Sequence, residues 1–394
     1  INLLMPNGQF GTRIMGGHDS ASSRYIHTEL NPIIKYLYPK SDFHLLNYNE
    51  DDGELVEPKY YVPIIPMVLV NGMNGIGTGF STSIPKFNPL EIINMIRYKL
   101  KGKEYNKIHP SYNNFKGEII QLDSNNYLSK GTYSVIDDKT IRITELPIGR
   151  WTEDYKLFLD SLLPQIEKKK SKENHAKSKP KKTIIDYVNN SSDTEIDFTI
   201  TFEKGFLNSL QWNEDDNIDG IEKFFKLTTT KGLSLRNIHL YKGDCIKKYN
   251  SIEEIIDDFF TERYSLYKRR KESQLETLQN ELMILKSKRD FINLVIDDKI
   301  IIHRKKRMEI ITQLLNTNLE QVLKGKVVTK KVNNINTNNY DYLIKMSIYL
   351  FTEEEIDKLN NQIQELEEQY SELNKKTIEQ IWDDECKTLL KFLR

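Results

Sequence analysis

Residues 2–28 read NLLMPNGQFGTRIMGGHDSASSRYIHT, and the reading of this stretch decides how the rest of the chain is understood. Four glycines, Gly8, Gly11, Gly16 and Gly17, are interleaved with Gln9, Arg13, His18, Asp19 and three serines. Glycine lifts the Cβ restriction on backbone angles, so the stretch is expected to be irregular chain crowded with hydrogen-bond donors. It reads as a site and not as core, and it closes on the adjacent pair Arg24 and Tyr25.

The pattern closely resembles the active-site segment of type IIA DNA topoisomerases of the eukaryotic kind, where a similar GQFGTR, GG-DSAS and RYI run ends in the tyrosine that attacks DNA. The resemblance implies that Tyr25 is the nucleophile and Arg24 its neighbouring catalytic cation, and that Arg13 and His18 contact DNA. The residues suit that chemistry. A tyrosine with an ordinary pKa near 10 is phenolate only about one time in a thousand at pH 7, so a nucleophilic one needs adjacent positive charge or a base. Arginine supplies a permanent cation that also holds a phosphate oxygen in fork geometry. Two positions depart from the family pattern: His18 stands where a lysine is usual, and Ser23 where a proline is. Neither touches the nucleophile.

Downstream, Ile26, Leu30, Ile33, Ile34 and Leu37 are spaced for a short amphipathic helix ending near Pro39. After the acidic turn NEDDGE comes VEPKYYVPIIPMVLVNGMNGIGTGF. Its glycines do not make a nucleotide-binding loop, because Phe80 stands where GxGxxG needs Gly and Thr78 where the Walker pattern needs Lys. The same residues resemble the family's EP-YY-PIIPM-L-NG--GIGTG, which implies that Ile76 is the apolar wedge inserted between base pairs. Such wedges kink DNA by roughly 20 to 90° for an unstacking cost of a few kcal/mol.

Residues 86 to about 250 alternate short β-like runs with turns: 117–122, 131–136, 140–146, 196–202 and 233–240. They predict an α+β unit with a mainly antiparallel sheet. The pieces PSYNNFKG, TELPIGRWTEDYK and FFKLTTT resemble the family's tower domain. Inside it, residues 167–182 carry eight lysines against two glutamates and read as a disordered basic loop.

From about Ser251 the composition turns helical. Leu275, Leu278, Leu282, Leu285, Arg289, Ile292 and Ile296 form one seam, and Ile356, Leu359, Ile363, Leu366, Tyr370 and Leu373 a returning one. They predict an antiparallel coiled-coil pair with a small helical domain at its tip. The basic runs KRRK at 268–271 and HRKKR at 303–307 read as solvated helix faces.

Composition sets the remaining bounds. At 394 residues the chain holds two or three units, and its 57 basic and 57 acidic residues give zero net charge, unlike a free-standing DNA-binding domain. Cys245 and Cys386 belong to no CxxC pair, so neither a disulfide framework nor a zinc site is indicated, and the longest apolar run, about 62–70, is far too short to span a membrane. Asp51, Asp52 and Glu54 read as solvated turn charge, and no metal-binding residues are assigned. The chain opens inside a motif, which suggests a fragment of a larger polypeptide.

On the resemblance, the fold is multidomain α+β: the end of a winged-helix domain at 1–85, a tower domain at 86–250, and coiled-coil arms at 251–394 with an exit-gate tip domain at about 297–352. The implied function is that of a type II DNA topoisomerase fragment, acting on double-stranded DNA as a homodimer through the tip domain. Mg²⁺ and ATP would be bound by upstream domains, so the fragment alone is expected to be inactive. Heavy use of Asn, Lys and Ile points to an AT-rich genome, of a protist or a large DNA virus, and so to the nucleus or a viral factory. Two other classes stay open: a non-catalytic architectural DNA-binding coiled-coil protein, and a nucleotide-dependent enzyme built on the glycine run.

Overall fold

The computed structural model describes residues 1–163, 184–210, 218–317, 319–323, 325–327 and 339–393; the basic 167–182 expectation lies outside them. The fold is mixed α+β with antiparallel sheets and one long helix. The chain divides into two compact units, one of residues 1–39, 62–261 and 386–394, the other of 40–61 and 262–385.

The first unit carries the larger sheets. Thr132–Asp137, Thr140–Glu145, Phe198–Thr201 and Asp186–Asn189 lie side by side in that order, every neighbouring pair antiparallel. Period-two alternation puts Ile141, Ile143, Phe198 and Ile200 on one face, where they pack with Tyr155 and Leu159 of the helix Thr152–Leu162. Each such aliphatic burial is worth roughly 1.5–3 kcal/mol. A three-stranded sheet (Thr228–Thr229, Tyr127–Lys130, Glu118–Gln121) and two hairpins, Met73–Gly77 with Phe80–Ile84 and Ile238–Lys242 with Cys245–Tyr249, complete it. The helix Pro89–Leu100 starts on the Asn88 side chain, which accepts from Leu90 N at 2.9 Å, with Pro89 preset for the first turn. Its buried face is Ile92, Ile93, Met95, Ile96 and Leu100.

Two expectations are corrected in this unit. The helix predicted across Ile26–Leu37 forms only at Ile34–Leu37. Leu30 is instead 68% exposed and bridges Leu4 in extended conformation, because pairing with residues 3–8 takes up the backbone. The run 233–240 becomes a strand only from Ile238. Leu233 and Leu235 are buried, yet their chain runs beside the 125–127 segment through single bonds, Tyr127 N to Leu233 O and Leu235 N to Asn125 O.

The second unit is built on helices. Ile252–Ile296 is one helix of 45 residues, roughly 68 Å at 1.5 Å per residue, and from Glu262 onward it belongs here. Glu353–Lys375 returns beside it: Lys286 meets Glu367 at 2.5 Å and Lys271 donates to Asn374 O at 3.0 Å, so partner numbers rise on one helix as they fall on the other. The antiparallel pair is therefore as predicted, with Leu282, Ile292, Leu359 and Ile363 buried, although Ile296 is exposed and Phe291 turns inward in its stead. Phe291, Ile300, Ile310, Ile311, Leu314 and Leu343 form a separate small core. The acidic run 47–58 forms the hairpin Tyr48–Asp51/Glu54–Pro58, turned on Asp52 (φ 49°) and Gly53 (φ 84°).

The run KRRK is only in part a solvated face: Lys268 and Arg269 are exposed, but their neighbours are engaged. Arg270 is buried between Asp42 at 3.3 Å and Glu385 at 2.6 Å, Arg269 donates to Leu45 O, and Lys271 reaches the carbonyls of Asn374 and Lys376. Arg263, two helical turns earlier, meets Asp42 at 2.7 Å, and Tyr267 lies between the two guanidiniums at 4.1 and 4.5 Å. Cationic residues spaced along a helix find buried carboxylates contributed by chain far away in sequence.

Candidate active site

Residues 3–8 and 26–31 run antiparallel, held by Met5 N to Glu29 O (2.9 Å), Asn31 N to Leu3 O (3.0 Å) and a bridge between Gly8 and His27. Between these arms the chain makes the expected irregular loop. Asp19 ties it, accepting from Thr12 N at 2.9 Å and from the Thr12 hydroxyl at 2.7 Å, and these bonds hold its carboxyl below the usual carboxylate value. Gly11 and Gly16 are needed where they stand. Both have positive φ, and a Cβ on Gly11 would lie 2.8 Å from Gly17 Cα, one on Gly16 2.2 Å from Trp151 Cε2.

The loop ends in a single 3₁₀ turn, Ser23–Tyr25, closed by Tyr25 N to Ser22 O at 2.9 Å. Tyr25 is 52% exposed, and the Arg24 guanidinium lies 4.9 Å from its ring centroid. A solvent-facing phenol with a cation against its ring is accessible to a polyanion, and the guanidinium beside it can pair with a phosphate oxygen. His18 is exposed on the loop next to Asp19.

Arg13 has a different setting. Its guanidinium is paired with Glu145, whose side chain is 1% exposed at the end of the strand Thr140–Glu145, and a second nitrogen donates to Thr194 O at 3.3 Å. Glu145 escaped the sequence reading, yet a signal was there: it falls on the same alternation as Ile141 and Ile143, so a carboxylate faces the core and requires a cation. Arg13 also lines a groove of about 1010 Å³ whose other charged walls are Lys86, Arg150, Lys231 and Asp193. With Arg13 already neutralised by Glu145, three cations against one carboxylate favour an anionic occupant.

Ile76 sits on the strand Met73–Gly77, opposite Ser81, and is 95% exposed. The glycine run is thus a hairpin turned at Thr78–Gly79, with no helix following it to bind phosphate, and the nucleotide-enzyme alternative loses its structural basis. The hairpin is braced from one side by the chain leading into Ile238–Lys242. Ser83 N donates to Asn237 O (2.8 Å), His239 N to the Thr82 hydroxyl (3.1 Å), and the His239 ring bonds Ser81 O (3.0 Å). Arg24 and Tyr25 are brought together; Arg13 and Ile76 stand on separate supports.

A family model for the A-type chain of DNA gyrase/topoisomerase IV matches residues 1–387. The chain is 36% identical over 422 residues to DNA topoisomerase 2 of Arabidopsis thaliana, covering 100% of this chain and 27% of that protein. It is 36% identical over 414 residues to DNA topoisomerase 2-alpha of Mus musculus, covering 100% and 26%. It therefore spans about a quarter of the length of these relatives. Among solved structures, the Plasmodium falciparum topoisomerase II DNA-binding, cleavage and re-ligation domain superposes with a TM-score of 0.80 at 31% identity, covering 100% of this chain and 53% of that one.

Proposed function

The chain belongs to the DNA gyrase/topoisomerase IV family, and from that premise we propose that it is the C-terminal half of the DNA-cleavage core of a type II topoisomerase, with Tyr25 as nucleophile. The observation that carries the reading is the Arg24–Tyr25 pair, an exposed phenol with a guanidinium 4.9 Å from its ring, at the end of a tied loop.

The reaction is transesterification. The Tyr25 oxygen attacks a backbone phosphorus, an O–P bond forms, the P–O3′ bond breaks, and the proton lost by the phenol is balanced by one gained at the 3′-oxygen. A 5′-phosphotyrosyl link and a free 3′-hydroxyl remain. One phosphoester replaces another, so the break reseals without consuming a cofactor. Arg24 neutralises charge developing on the phosphate, and His18 contributes a further phosphate contact. Ile76 wedges into the stack and bends the duplex. A second copy cuts the opposite strand, and another duplex passes through.

Residues 1–85 then close a winged-helix domain, 86–250 form the tower, and 251–394 the coiled-coil arms. The helical domain at about 297–352 pairs with its copy as the exit gate. The full-length enzyme would need ATP and Mg²⁺. Among the described residues no group of three His, Cys, Asp or Glu side chains is placed to hold a metal ion. No described helix is long and apolar enough to cross a membrane; the relatives come from cellular eukaryotes, which supports the nucleus over a viral factory.

The test supplies the upstream half in trans or as a fusion, with Mg²⁺ and a 5′-labelled duplex, followed by denaturation. Wild type should retain label on protein and Tyr25→Phe should retain none. If both bind DNA and neither ever becomes linked to it, the architectural alternative takes over.

A further inference from the structure

Residues 13–16 of the tyrosine-bearing loop are held at two places in the sheet-bearing unit, the end of the strand Thr140–Glu145 and the start of the helix Thr152–Leu162. Glu145 takes the Arg13 guanidinium, and its two oxygens also accept from Leu146 N (2.9 Å) and Lys116 N (3.1 Å), so this buried carboxylate is also fixed by donors outside the loop. Ile14 O accepts from Glu153 N at 3.0 Å, in the first turn of the helix Thr152–Leu162. Gly16 presses on the Trp151 ring so closely that no side chain fits between them.

We propose that Arg13 and Glu145 form a latch that positions Tyr25 for attack, and that Arg13 is a positioning residue and not a phosphate contact. This rests on Tyr25 being the nucleophile. For Arg13 to reach DNA it would have to leave Glu145 as a buried carboxylate with backbone donors alone, which its depth strongly disfavours. From the latch the chain is continuously tied to the nucleophile: Gly17 N to Thr12 O, Asp19 to Thr12, Ala21 N to Gln9 O, then the turn at Tyr25. A shift of about 1 Å at a reacting group costs on the order of 100-fold in rate, so slack in this path reaches the chemistry. Because the carboxylate end belongs to the strand Thr140–Glu145, displacement of that sheet is felt at the tyrosine loop.

The experiment uses the full-length enzyme and compares wild type, Arg13→Gln, Glu145→Gln, the double variant and Arg13→Lys. Covalent trapping rate and duplex affinity are each measured as a function of salt. The latch predicts that both single variants and the double lose trapping rate equally, by about tenfold or more. Duplex Kd and its salt slope should stay unchanged within twofold, with Arg13→Lys recovering much of the rate. The double variant leaves no buried charge unpaired and Arg13→Lys keeps the pair, so these two remain informative if either single Gln variant does not fold. If Arg13→Gln weakens binding and lowers the salt slope by about one while Glu145→Gln does not, Arg13 is a phosphate contact and the latch is wrong. Wild-type trapping rates in both single variants overturn it equally. Label retained by Tyr25→Phe would instead sink the nucleophile assignment beneath it.

Discussion

Ile76 spends 95% of its surface on water, from a strand whose neighbours on both sides are glycine. A side chain so exposed lends the fold little, so Ile76→Ala should change stability by under about 0.5 kcal/mol. Bending should respond instead: with donor and acceptor dyes on the ends of a short duplex, the bent fraction should fall while binding persists. An unchanged bent fraction would remove the wedge assignment. What marks Tyr25, Arg24 and Ile76 as candidates in the sequence is local, an Arg-Tyr pair behind a glycine-rich run and an isoleucine between glycines. The partner of Arg13 lies 132 residues away, and no local pattern reports a bond of that span.

The hairpin Ile238–Tyr249 is pinned to the first turns of the long helix through one carboxylate. Asp258 meets Lys242 at 2.7 Å, Lys247 at 2.7 Å and the Tyr249 hydroxyl at 2.9 Å. The bonds from Lys242 and then Lys247 pull its pKa down to about 2. The folded value lies below the unfolded one near 3.9, so this contribution is complete above about pH 4 and is lost as pH falls through about 2. Stability of the wild type should drop across that window, and Asp258→Asn should flatten that part of the profile. The cluster is solvent-facing, so the difference at neutral pH should not exceed about 1 kcal/mol; a pH-independent gap between the two proteins would rule the linkage out. At this scale the seams of the paired helices were readable because a 3.5-residue repeat needs no distant information. The helix expected over Ile26–Leu37 was not, because the bridges from Leu30 to Leu4 and from His27 to Gly8 override the spacing of apolar residues.

The division of the molecule does not follow the order of the chain. Residues 40–61 group with the helices of the second unit although tyrosine-bearing chain precedes them and hairpin chain follows. Asp42 shows why: it serves Arg263 and Arg270, more than two hundred residues on, in a setting where all three side chains are buried. Asp42→Asn leaves two guanidiniums in low dielectric with one fewer carboxylate, and urea unfolding should report a loss of about 3–5 kcal/mol. A loss below about 1 kcal/mol would mean that the guanidiniums find water. Charge counts in the sequence could not reveal this, since basic runs on a helix look alike whether they face solvent or a buried acid.

The same cluster holds Trp382, wholly buried with its ring 5.2 Å from that of Tyr267. An indole in so dry a seat emits at short wavelength, and admitting water shifts that emission to the red. With Trp151 and Trp212 replaced, Trp382 becomes an optical gauge at the root of the long helix, and an event that parts it from Tyr267 can be followed by fluorescence, in real time and without a label.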